Sequence, residues 1–120
     1  MRFEFVTSIV QLGDGDAVLV IVLNHSISQE NARIRVFRDT ADGAVQVADS
    51  RDLTVSPTVQ SFFDFRVQSS GGHWVQIEGS SDLFVPSVSF QRFDGSVFRP
   101  ITDYLPGDFA VFEFQRLRLR

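Results

Sequence analysis

The sequence predicts an all-β protein, an antiparallel sandwich of about nine strands, and three observations carry that prediction. Apolar residues recur at every second position in short runs, as in Val59, Phe63, Phe65 and Val67. Turn-forming pairs such as Asp14-Gly15, Asp42-Gly43, Gly71-Gly72 and Asp94-Gly95 separate those runs. No stretch sustains a 3.6-residue period, so helix is expected only as a single turn around Ser28 to Asn31.

Taken in order, Arg2 to Gln11 reads as a first strand, turned by Gly13-Asp14-Gly15-Asp16 into Ala17 to Leu23. That second strand, AVLVIVL, is apolar on both faces and should lie centrally with both sides covered. Ala32 to Arg38 alternates, with Ile34 and Val36 on one face and Arg33, Arg35 and Phe37 on the other. Val45 and Val47 mark a short strand after the Thr40 to Gly43 turn, and Leu53 to Ser56 another that ends at Pro57.

Val59 to Gln68 is the longest clear alternation, placing Val59, Phe63, Phe65 and Val67 inward and Phe62, Asp64 and Arg66 outward. In His73 to Glu78 the core takes Val75 and Ile77, while Trp74, Gln76 and Glu78 face out. Leu83 to Phe93 contains Pro86, which calls for an edge position or a bulge. Val97 and Phe98 suggest a short strand, Pro106-Gly107 suits a type II turn, and Phe109 to Leu119 closes the pattern.

A chain of 120 residues is expected to form one domain around one core. Without cysteine it has no disulfide, thiolate metal site or cysteine nucleophile. All eleven basic residues are arginine, which excludes Schiff-base lysine chemistry and a P-loop lysine. A net charge of −4 does not suit general nucleic-acid binding. Met1 to Phe5 does not resemble a signal peptide, and the longest apolar run, Ala17 to Leu23, is far short of the roughly 20 residues of a membrane-spanning helix. A cytoplasmic setting follows as the expectation.

The order AVLVIVLN, ARIRVFRD, LTVSP, VQSFFDFRV, HWVQIEG and LFVPSVSF, within residues 17 to 90, resembles the immunoglobulin-like and fibronectin-III-like modules common in bacterial proteins. The resemblance implies an immunoglobulin-like sandwich serving adhesion, spacing or interaction. Neither the antibody-type cysteine pair nor a Cys…Trp…Cys frame around Trp74 is present, and residues beyond 93 have no place in a seven-strand scheme.

Residues with chemistry are few and scattered. Asp14 and Asp16 flank a glycine but lack the further ligands of an EF-type calcium loop, so a structural turn is expected. His25 and His73 stand outside any metal-ligand spacing and read as surface or strand-end residues. No G-x-S-x-G elbow supports a serine triad. Asn24-His25-Ser26 fits a glycosylation sequon that matters only in a secreted chain. Arg116, Arg118 and Arg120 would line one strand face, either as an anion-binding stripe or as a solvated edge that discourages aggregation.

Thirteen of the fifteen aromatic residues are phenylalanine, more than a lone core of this size asks for. Phe63 and Phe65, with Phe3, Phe5, Phe112 and Phe114, suit the core, which leaves Phe37, Phe62 and Trp74 pointing outward from three strands. Arginine interleaved with aromatics is the composition favoured at protein interfaces. Arg33, Arg35, Phe37, Phe62, Arg66 and Trp74 are therefore the candidate interface of a non-enzymatic module that self-associates or docks a protein partner. No catalytic residue, cofactor, metal, nucleic acid or membrane is called for. The competing readings are coverage of these rings within one subunit, a carbohydrate-binding module using Trp74 and Tyr104, and a small hydrolase with a loop-borne Asp/His site.

Overall fold

The computed structural model describes residues 2–114. Its strands are β1 (Arg2–Val6), β2 (Val10–Leu12), β3 (Ala17–Asn24), β4 (Glu30–Thr40), β5 (Gly43–Asp49), β6 (Leu53–Val55), β7 (Gln60–Arg66), β8 (Gly71–Gly79), β9 (Phe84–Phe93), β10 (Phe98–Tyr104) and β11 (Ala110–Phe114). One antiparallel sheet runs β11-β1-β8-β4-β5, with β2 also on β8 and β6 also on β4; the other runs β10-β9-β3-β7. The inward rows of both sheets meet in one core, where Val18, Val20, Val22, Ile34, Val36, Val75, Ile77, Val88 and Phe90 are buried. That is a β-sandwich. Its strand order departs from the immunoglobulin scheme at one edge. There the last strands share a sheet, whereas β9 leaves β8 for the opposite sheet and pairs with β3.

The first expected strand is broken, and the reason lies in one hydroxyl. Thr7 to Ile9 are three residues opposite two, Trp74 and Val75, so the ladder between β1/β2 and β8 bulges. Thr7 N donates to the Val75 carbonyl at 3.1 Å, and Val75 N donates to Thr7 Oγ1 at 3.0 Å. The same device recurs between β5 and β6, where Ser50 N donates to the Ile34 carbonyl and Ile34 N to Ser50 Oγ, both at 2.8 Å. In each case a side chain on the bulged strand satisfies an amide of a central strand. Thr7→Val, which keeps the shape and removes the acceptor, should strand the Val75 N–H and cost about 1–2 kcal/mol. A denaturant midpoint unchanged from the parent would refute this.

Two glycines of β8 give room to neighbours rather than turning the chain as expected of Gly71-Gly72. A Cβ on Gly72 would lie 2.6 Å from Ile9 Cγ2, and one on Gly79 would lie 2.3 Å from Cδ2 of the buried Phe84 ring. Each is a notch into which a neighbouring side chain fits.

Several local expectations are corrected. Ser28 to Asn31 form no helical turn, because Asn24 Nδ2 and Ser26 Oγ both donate to the Ser28 carbonyl and hold the segment as bends before β4. Pro106–Asp108 is a 3-10 turn without the positive φ that a type II turn requires at Gly107. Asp108 Oδ2 fixes it by accepting from Leu105 N at 2.9 Å. Val59 is 47% exposed rather than core, since Thr58 at φ 61° breaks the alternation just before β7. The short strand around Phe98 extends to Tyr104, with a bulge between Pro100 and Thr102. Pro86 does sit at an edge stretch, because β10 pairs with β9 only from Val88 onward.

The aromatic surplus has an interior use. Phe90 meets Tyr104 edge-on at 5.8 Å, Tyr104 meets Phe109 at 5.8 Å, and Phe109 meets Phe5 at 6.3 Å. This relay of rings joins β9 and β10 of one sheet to β1 of the other.

Candidate functional site

The six outward residues divide between two opposite faces. Arg33, Arg35 and Phe37 on β4 and Trp74 on β8 stand on the outer face of the larger sheet; Phe62 and Arg66 on β7 stand on that of the smaller. Alternation assigns a side chain to the outside of its own sheet but does not say which sheet that is. Phe37, Phe62 and Trp74 therefore do not form one patch.

On the larger sheet the charged groups are paired with one another. Arg33 grips Asp49 with two nitrogens, Nε at 3.0 Å, and Arg35 bonds Glu78. Arg2 lies 3.7 Å from Glu4 and 3.8 Å from Glu78, bridging two carboxylates that face each other across β1 and β8. The Arg33 fork, helped by the Arg51 amide, holds the Asp49 carboxyl well below the usual carboxylate range. Phe37 stacks on its cross-strand partner Trp74 at 5.4 Å and 17°, both half-buried. On this face the ion pairs close within the chain and the two rings stack on each other.

The smaller sheet presents the opposite chemistry. Leu19, Ile21 and Leu23 form a row along β3 that is only half-buried, and Phe62 beside Ile21 is 63% exposed. The expectation that both faces of β3 would be covered fails for this side. Ile21 lies between Phe62 and Ser87, Leu23 between Gln60 and Val85. Leu105 flanks a shallow depression of about 150 Å³ over Leu19 and Ile21. At one end Arg66 lies over the Phe98 ring at 4.6 Å and the Phe93 ring at 5.3 Å. Phe93 and Phe98 were not singled out from sequence, although Phe93 continues the outward phase of Ser87, Ser89 and Gln91.

The remaining candidates fall elsewhere. Asp16 is buried in the β2–β3 turn, accepting from Gly13 N at 2.7 Å and Phe93 N at 3.1 Å, as a structural turn residue would. Asn24 is fully buried with its amide hydrogen-bonded, so its sequon offers no acceptor in the folded chain. His25 is exposed, whereas His73, expected at the surface or a strand end, lies near the start of β8 and is 1% exposed because it shares the inward phase of Val75 and Ile77. Tyr104 is half-buried in the ring relay. Among the described residues, no three His, Cys, Asp or Glu gather into a cluster that could hold a metal ion. No helix among the described residues is long and apolar enough to cross a membrane. Arg116, Leu117, Arg118, Leu119 and Arg120 lie outside the described residues, as do the side chains of Phe112 and Phe114.

No family model and no curated protein matches the chain. Among solved structures it is similar to the crystal structure of Thermotoga maritima 1070, with a TM-score of 0.62 and 9% identity over 85% of this chain and 90% of that one. At that identity the likeness is one of fold.

Proposed function

We propose that the protein is a non-enzymatic interaction module that pairs with a second copy of itself through the outer face of the four-stranded sheet. The observation that carries this reading is β3, whose Leu19, Ile21 and Leu23 supply a half-buried apolar outer row in the smaller sheet, with Phe62 exposed beside it. Antiparallel sheets with one solvated face ordinarily carry polar residues there, and contiguous exposed apolar surface marks interaction sites. Self-pairing is favoured because exposed Asp64 and Arg66 share the outer side of β7 around this row. A twofold axis passing between them would set each charge of one copy near the opposite charge of the other.

The immunoglobulin-like resemblance agrees with an interaction role and adds nothing about the partner. Sedimentation at micromolar concentration should give a dimer. Ile21→Arg should return it to monomer, and Phe62→Ala should weaken it at least tenfold. Trp74→Ala, on the opposite face, should leave the mass unchanged. A monomeric parent protein, or a dimer lost through Trp74 rather than Ile21, would remove this reading.

A further inference from the structure

Between the sheets, near the β4–β5 hairpin, lies a cavity of about 270 Å³ lined by Arg38, Val47, Phe65, Gln68, Ser69 and His73. Arg38 and His73 are direct partners across β4 and β8. Arg38 shares the inward phase of Ile34 and Val36, so both side chains turn toward the interior. The Arg38 stem lies over Gly71, where a Cβ would stand 3.4 Å from Cγ.

Arg38 makes no ion pair or side-chain hydrogen bond among the described residues, and its Nε is buried without a partner. No carboxylate lines the cavity. His73 Nδ1 lies 2.8 Å from the Gly71 carbonyl, which can only accept, so Nδ1 carries the proton. Burial, joined by the Arg38 charge and opposed by the Gly71 bond, lowers the imidazole pKa. The ring is then neutral, with Nε2 a lone-pair acceptor that has no partner among the described residues.

A buried guanidinium Nε without an acceptor and an imidazole acceptor without a donor line one cavity. It is complementary to a ligand that brings both missing groups. We propose that this cavity binds a small hydroxycarboxylate, its carboxylate accepting from the Arg38 guanidinium and its hydroxyl donating to Nε2 of His73. Phe65 and Val47 contact the carbon skeleton, and Gln68 and Ser69 supply further hydrogen bonds. The volume falls below the roughly 300–1,000 Å³ of sites for drug-sized molecules, which selects a compact ligand. The site opens to solvent beside exposed Gln68 and Ser69 and stands apart from the proposed self-pairing face.

The test is titration of the full chain with lactate, malate and tartrate, beside propionate and succinate, which lack the hydroxyl, and sulfate. The readouts are calorimetry and the NMR shifts of the His73 ring and the Gln68 and Ser69 amides. At least one hydroxycarboxylate should saturate these shifts, binding at least tenfold more tightly than the analogue without its hydroxyl. Arg38→Met should abolish binding without lowering the melting midpoint, because the buried, unpartnered Nε leaves with the side chain. Arg38→Lys, which keeps the charge and loses the planar fork, should weaken binding at least tenfold and serves if the methionine variant does not fold. The absence of saturable shifts with all three acids, sulfate binding as tightly as they do, or undiminished binding by both variants would each overturn the proposal.

Discussion

Phe90→Ala should lower the unfolding free energy by about 4 kcal/mol, the range found when a buried phenylalanine is truncated. Phe90 is fully buried on β9, opposite Val18 of β3 and Thr102 of β10. Three causes act together: lost apolar transfer, a cavity that a rigid two-sheet core cannot close, and loss of the edge contact with Tyr104 at 5.8 Å. Because the relay continues through Phe109 to Phe5, the near-ultraviolet circular dichroism of Tyr104 should also collapse before the far-ultraviolet signal does. Phe62→Ala is the control within the same residue type. Its ring is mostly exposed in the monomer, so the monomer's unfolding should change by less than about 0.5 kcal/mol. A loss below about 1 kcal/mol for Phe90→Ala would show that the ring relay does not hold the sheets together.

Asn24→Ala should cost about 3 kcal/mol, a large effect for removing one polar side chain. Asn24 ends β3 in the smaller sheet, yet its Nδ2 donates to the carbonyl of Val55 on β6 of the larger sheet at 2.8 Å. The same nitrogen donates to the Ser28 carbonyl at 2.9 Å, and Oδ1 accepts from Ser26 N at 2.9 Å. The alanine variant leaves the buried Val55 carbonyl without this donor and releases the β3–β4 connection. Asn24→Asp separates geometry from chemistry, since its carboxylate can still take the Ser26 amide but cannot donate to Val55. It should be at least as destabilised as the alanine, measured by urea midpoint. A near-neutral Asn24→Ala would mean that water replaces the amide.

Alternation alone made the inward rows readable. Ile34 and Val36, Val75 and Ile77, and Phe63 and Phe65 are where period two places them, because each strand presents one face to a shared interior. The same rule is blind to sheet membership, which depends on pairings far apart in the chain. Trp74 therefore stacks on Phe37, while Phe62 stands on the opposite side of the molecule. Arg38 and His73 were legible in phase, since each continues an inward row. Neither belongs to a motif that marks a site, and His73 reads equally as a surface or strand-end residue. Val59 could not be placed, since the left-handed Thr58 before it changes the phase and no residue type there announces it.

The two notches in β8 bear on how its pairing is chosen. Alternating apolar patterns forbid a strand from sliding by one residue but tolerate a slide of two, which returns every side chain to its proper side. Gly72 and Gly79 lie seven positions apart, which puts them on opposite faces of the strand. Sliding β8 by two in one direction brings Trp74 to the place of Gly72, under Ile9. Sliding it by two in the other brings Ile77 to the place of Gly79, under Phe84. Each glycine is thus a stop against one direction of travel, and together they leave β8 a single position between its neighbours.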